Sequence, residues 1–208
     1  MRPLAVRHLG RLDYADGVSL QKALVGERRA GRIPDTLLLV EHPPVITLGV
    51  KTRGATTHVV ADATALAARG VTVHESGRGG DVTFHGPGQL VGYPIVDLNP
   101  DRRDVHRYVR DLEDVLIRTA AHYGIEAGRV AGYSGAWVGE RKLAAIGVRI
   151  SRWITSHGFA LNVSTDLSFF DLIVPCGIAD RGVTSLEALL GRGVDPAEVS
   201  AVVIRPSP

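Results

Sequence analysis

Arg78-Gly79-Gly80-Asp81-Val82-Thr83-Phe84-His85-Gly86-Pro87-Gly88-Gln89 is the most informative stretch of this 208-residue chain. Counted with Gly77 it holds five glycines, each permitting backbone geometry and close approach that a Cβ would block. The plain reading is a pair of tight turns between strands. The functional reading rests a carbonyl or carboxylate on backbone N–H groups there, with Arg78 and His85 as polar handles, and the crowding of Arg, Thr, His and Gln favours it. No Gly-Lys-Ser/Thr ending is present, G-x-G-x-x-G is missing and no helix follows directly, so neither a P-loop nor a Rossmann phosphate site is implied.

Outward from this stretch the chain alternates strands and helices. Upstream, an amphipathic helix fits Tyr14 to Arg29, with Ala15, Val18, Leu24 and Val25 on one side and Gly31 as its stop. Strands follow at Thr36–Val40 and Val45–Leu48, then a short helix Ala63–Arg69 capped by Asp62, and a strand Val71–His74. Downstream, Leu90–Leu98 reads as a strand, and Asn99-Pro100 opens a helix to about Tyr123, with Val105, Tyr108, Val109, Leu112, Val115, Leu116 and Ala120 as its apolar stripe and Gly124 as its C-cap. A hairpin about Gly139-Glu140 joins Ala136–Val138 to Lys142–Ile150, with Ser156–Val163 beside it. Short helices are expected near Asp166–Phe170, Thr184–Leu190 and Pro196–Val203. Short turns between the middle strands predict an α+β fold, one layer of helices against a mixed, mostly antiparallel sheet. No linker divides the chain, so residues 1–208 read as one domain with a small C-terminal subdomain from about residue 184.

Composition narrows the class. Hydrophobic residues make up 45% and charged residues 22%, enough for a real core and too apolar for a disordered chain. A net charge of +2 is too balanced to imply nucleic acid or membrane, and the arginines near residues 102–110 alternate with Asp101, Asp104 and Asp111. The start has no apolar h-region and no run approaches a membrane span, so a soluble cytoplasmic protein is expected. The single cysteine, Cys176, forms no internal disulfide, and the eight histidines show no metal spacing.

Three further elements carry chemistry. Cys176 lies between Pro175 and Gly177, which force a loop where a thiol is accessible, although a free cysteine is more often a small buried hydrophobe. Lysine occurs only at Lys22, Lys51 and Lys142 among 24 basic residues, and Lys142 opens an apolar strand. An ammonium beside Cys176 would favour its thiolate, but spacing does not place Lys142 there. In His157-Gly158-Phe159-Ala160-Leu161-Asn162 the small residues leave room for a slender ligand, or serve close strand packing.

Taken in order, R-G-G-x-x-T-F-H-G-P-G-Q, K-x-x-A-I-G, H-G-F-A-L-N and P-C-G-I, from Arg78 to Ile178, closely resemble the lipoyl(octanoyl) transferase family. The resemblance implies the fold of biotin and lipoate protein ligases. It also implies transfer of an octanoyl group from octanoyl-acyl carrier protein, through a thioester on Cys176, to the lysine amine of lipoyl domains of 2-oxoacid dehydrogenases and the glycine cleavage H protein. Lys142 would favour the thiolate and assist proton transfer. Arg78, Gly79, Gly80, Asp81, Val82, Thr83, Phe84, His85, Ala145, Ile146, Gly147, Gly158, Phe159 and Ala160 would line the acyl pocket. Neither cofactor nor metal is implied.

Three other readings stay open: an ATP-dependent lipoate or biotin ligase, a non-catalytic acyl-binding module, and a cysteine hydrolase. The Pro175-Cys176-Gly177 loop argues for the transferase, because the ligases need no catalytic cysteine. Carrier proteins are acidic, so a basic docking patch is expected at Arg149 and Arg152, with Arg102, Arg103 and Arg107 as lesser candidates. A monomer is expected.

Overall fold

The computed structural model describes residues 3–52, 58–174 and 181–205. Strand β2 (Asp35–Glu41) organises the sheet, and six of its seven residues are buried. Leu37 and Leu39 enter one hydrophobic cluster, Leu38 and Val40 another. Because strand side chains alternate between faces, a continuous apolar run means that both faces are covered. Helix α1 (Tyr14–Arg29) covers one face through Leu24, and helix α3 (Val105–His122) covers the other through Leu112 and Leu116. The expected single layer of helices is therefore corrected to helices on both faces.

Four strands besides β2 build the middle and far side of this sheet: β6 (Gln89–Ile95), β8 (Tyr133–Val138), β9 (Arg141–Ser151) and β10 (Ile154–Asn162). Edge strands β1 (Leu4–Arg11) and β7 (Gly128–Val130) complete the order β1-β2-β6-β10-β9-β8-β7. Only β1 and β2 pair in parallel; the other pairs of this sheet are antiparallel. A second sheet of three strands sets β3 (Val45–Leu48) between β4 (Thr72–Glu75) and β5 (Val82–His85). It was not foreseen as a separate sheet, and β5 falls inside the glycine-rich stretch.

Local chemistry explains most element ends. Gly31, Gly70 and Gly124 follow helices at positive φ, and Asp62 caps α2 (Ala63–Ala68) by accepting from Ala65 N. Helix α3 starts at Val105, later than Asn99-Pro100 suggested. Asp104 accepts from Arg107 N as its cap, while the Asn99 amide is occupied by Asp97 and Arg103. In α1 the buried face is Tyr14, Gly17, Gln21 and Leu24 rather than the face of Ala15, which is exposed. Helices α4 (Leu186–Leu190) and α5 (Pro196–Val203) put Leu186, Val199 and Val203 into the cluster shared with α3. No described helix is long and apolar enough to cross a membrane.

Candidate active site

A cavity of about 210 Å³ lies between the glycine-rich stretch and the paired strands β9 and β10. Along β9 it is lined by Lys142, Ala145, Ile146 and Gly147, and along β10 by His157, Gly158, Phe159, Ala160 and Asn162. These residues meet because β9 and β10 pair with Gly158 opposite Gly147 and Ala160 opposite Ala145. Arg78, Gly80, Asp81, Val82, Thr83 and His85 form the facing wall. Two expected wall residues do not reach the cavity. Gly79 is held behind it by its N–H, which donates to Val148 O at 2.8 Å. Phe84 alternates with Thr83 and His85 and turns away, stacking 4.8 Å from Phe169. Cys176 lies outside the described residues.

Lys142 is half-buried, with its ammonium 4.8 Å from the centre of the Trp137 ring. Its N–H donates to Gly182 O, and its carbonyl accepts from Thr184 N, both at 2.9 Å. The chain that follows the cysteine-bearing segment is thus laid along Lys142, and Val183 joins the cavity wall. The Arg181 guanidinium sits 5.7 Å from the Trp137 ring and 5.4 Å from that of Tyr133. On the other side of the segment, Val174 N donates to His58 O at 2.8 Å. His58 Nδ1 lies 2.7 Å from Asp81 Oδ2, off the line of a straight hydrogen bond. Both flanks of residues 175–180 are therefore fastened to the cavity rim.

Arg78 proves to be a clamp. Its Nη2 donates to Thr47 O at 2.7 Å and to Thr47 Oγ1 at 2.9 Å, while Nη1 donates to Gly79 O at 3.1 Å. These bonds pin the glycine-rich stretch to β3. Gly158 serves close strand packing, since a Cβ there would stand 2.3 Å from Gly92 O on β6. At Gly147 a Cβ would meet Gly79 O at 3.0 Å, so this glycine sets the distance between the cavity's two walls.

A polar chain runs beneath the cavity. His85 Nδ1–H donates to Gln89 Oε1 at 2.8 Å, Gln89 Nε2 donates to Asn162 Oδ1 at 2.8 Å, and Asn162 Nδ2 donates to Thr184 O at 2.9 Å. The last bond fixes the segment that holds Lys142. Beyond it, His42 donates from Nδ1 to Leu12 O, which leaves Nε2 to accept from Tyr93 OH at 2.7 Å. Burial, reinforced by the charges of His42 and Arg78, pushes His85 down to about 3; burial and the Arg78 charge push His157 down to about 4. Burial raises the hydroxyl pKa values of Tyr14 and Tyr93. At neutral pH this polar floor is uncharged apart from Arg78.

Residues missed by sequence reasoning include Tyr14 and Tyr93, which line the cavity, together with Gln89, His157 and Asn162, which lay inside recognised motifs without a role. A polar side chain repeated within otherwise buried strands was the available signal. The expected docking residues Arg149 and Arg152 are exposed, but Arg149 stands seven residues along β9 from Lys142, roughly 23 Å away. Among the described residues, Arg141 and Arg181 are the arginines beside Lys142.

Residues 13–206 match the lipoyl protein ligase A/B catalytic domain family. An octanoyltransferase from Solibacter usitatus is 56% identical over 189 residues, covering 91% of this chain and 84% of its own. One from Chloroflexus aggregans is 55% identical over 203 residues, covering 96% and 91%. Among solved structures, a lipoate-protein ligase A bound with ATP has a TM-score of 0.72 over 97% of this chain and 82% of its own, at 17% identity. The biotin protein ligase of Aquifex aeolicus in complex with biotin and ATP gives 0.57 over 96% and 66%, at 16% identity. These two likenesses establish the fold, the mixed α+β architecture of lipoate and biotin ligases. Matched along nearly its whole length by relatives with more than half their residues in common, the chain belongs to the octanoyltransferase family.

Proposed function

We propose that the protein moves an octanoyl group from the thiol of acyl carrier protein to the lysine amine of a lipoyl domain, through a thioester on Cys176. The acceptors are the lipoyl domains of 2-oxoacid dehydrogenases and the glycine cleavage H protein, and residues 1–208 act as one catalytic domain. One observation carries the reading: Lys142 stands on a cavity whose rim anchors the chain on both sides of Pro175-Cys176-Gly177. In the first step the Cys176 thiolate attacks the thioester carbonyl, a new C–S bond forms, and the carrier thiolate leaves and takes up a proton. One thioester replaces another, so the step needs thiolate and orientation, not ATP. In the second step the lysine amine attacks, the C–N bond forms, the Cys176 C–S bond breaks and the amine loses a proton. The Lys142 ammonium balances the Cys176 thiolate and gives the carrier thiolate its proton in the first step; in the second the neutral Lys142 amine takes the proton of the acceptor amine, which restores the thiolate–ammonium pair.

The cavity suits the cargo. Val82, Val91, Ile146, Phe159 and Phe170 give it apolar walls, and each methylene buried there contributes roughly 0.8 kcal/mol. Incubation with octanoyl-acyl carrier protein and a lipoyl domain, without ATP, should give the octanoyl amide. Product only from free octanoate with ATP would instead identify a ligase.

A further inference from the structure

We propose that the cavity end remote from Lys142 is a polar subsite for a terminal hydroxyl, so that acyl groups carrying an ω-hydroxyl are transferred in preference to apolar chains of equal length. The inference rests on the acyl-transfer reading above. From Lys142 to Gly147 the cavity follows β9 for five residues, roughly 16 Å. At that level β10 places Gly158 opposite Gly147 and His157 opposite Val148.

The wall there is not apolar. His157 is only 6% exposed, and neither of its ring nitrogens has a protein partner among the described residues. His85 is bonded through Nδ1 to Gln89, and its Nε2 likewise has none. Tyr14 donates its hydroxyl hydrogen to Ser76 Oγ at 2.8 Å and keeps its oxygen lone pairs as acceptors. The Tyr14 ring lies parallel to His85 at 6.2 Å, and the Tyr93 ring meets His157 edge-on at 6.2 Å, so each imidazole packs against a tyrosine ring. Burial and the Arg78 charge keep both imidazoles neutral, so His157 offers one N–H and one lone pair, whereas His85, whose Nδ1–H is spent on Gln89, offers the Nε2 lone pair. A hydroxyl, which donates and accepts, satisfies such a wall; a methyl of the same size leaves buried polar atoms unpaired.

The test compares carrier protein loaded with octanoyl, 8-hydroxyoctanoyl and nonanoyl groups, the last two having equal numbers of heavy atoms. Transfer to a lipoyl domain is followed by mass. The kcat/KM for 8-hydroxyoctanoyl should exceed that for nonanoyl by about tenfold. Tyr14→Phe and His157→Asn should each reduce that ratio at least about threefold. A wild-type ratio of about threefold or less overturns the subsite. Calorimetric binding of free 8-hydroxyoctanoate and nonanoate should show the same order and does not depend on catalysis. Failure to transfer octanoyl would thus sink the acyl-transfer reading while leaving the subsite to be decided by binding.

Discussion

Asn162 is the joint between the cavity floor and Lys142, and its replacement has a calculable cost. Its amide is 4% exposed, accepts from Gln89 at 2.8 Å and donates to Thr184 O at 2.9 Å. Asn162→Leu keeps the volume and removes both bonds. The Thr184 carbonyl loses its donor, at about 1–3 kcal/mol for a buried unpaired group. Gln89 retains its 3.3 Å contact with Phe84 O, so its loss is nearer one net hydrogen bond, about 1 kcal/mol. The total of roughly 2–4 kcal/mol corresponds, for a chain of this length, to a Tm lower by roughly 4–16 °C. Thr184 N also holds the Lys142 carbonyl, so kcat for octanoyl transfer should fall at least about tenfold, as misplacement of a reacting group does. Asn162→Asp adds a pH test. A protonated carboxyl can donate to Thr184 O, whereas a carboxylate opposes it, so burial raises the introduced group's folded pKa above its unfolded value near 3.9. The stability it restores is full below the unfolded pKa and lost as pH rises through the folded one. In urea melts between pH 7.5 and 4.5, its gap to wild type should narrow on acidification by up to about 1.4 kcal/mol per unit, while the Leu variant's gap stays constant. Parallel gaps for both variants, or wild-type stability of Asn162→Asp at pH 7.5, would refute the reasoning.

Acid should weaken the fold through the neutral histidines. The unfolded chain binds their protons near pH 6.5, whereas folded His85 and His157 bind them only near 3 and 4. Stability is therefore full above about pH 6.5 and declines on acidification by roughly 1.4 kcal/mol per unit for each histidine. The urea midpoint of His157→Asn should fall less steeply between pH 6.5 and 5 than that of wild type; identical slopes would contradict this. Gly158→Ala forces a Cβ against Gly92 O and should cost about 1–3 kcal/mol, a Tm drop of roughly 2–12 °C, against a smaller loss for Gly147→Ala. Equal thermal scans would show that strand packing does not require Gly158. Charge reversal at Arg141 and Arg181 should raise KM for acyl carrier protein, and lower its salt dependence, more than reversal at Arg149 and Arg152. Salt-dependent kinetics on the two double variants would separate the surfaces.

Features written in neighbouring residues were legible before the fold was known. Helix α1 is bounded by a glycine at positive φ, and α2 by an aspartate cap. Strands β2 and β3 stand where short apolar runs placed them. What escaped is non-local. The parallel pairings of β1 with β2 and of β3 with β4 join segments far apart in sequence, and β1 is an edge strand whose apolar run, Leu4-Ala5-Val6, is cut short by Arg7 and His8. At the site, the glycine-rich stretch, Lys142 and the Gly158-Phe159-Ala160 strand could be named from their motifs. Tyr14 and Tyr93 could not, because each reads as ordinary core until the sheet brings it to the cavity. Strand direction likewise decided which arginines lie near Lys142.

Intact mass after mixing the protein with octanoyl-acyl carrier protein in the absence of ATP tests the central claim most directly. The account predicts a gain of one octanoyl group that hydroxylamine removes, that Cys176→Ser prevents, and that a lipoyl domain discharges as its amide. An unmodified mass, or an adduct that survives Cys176→Ser, would contradict it.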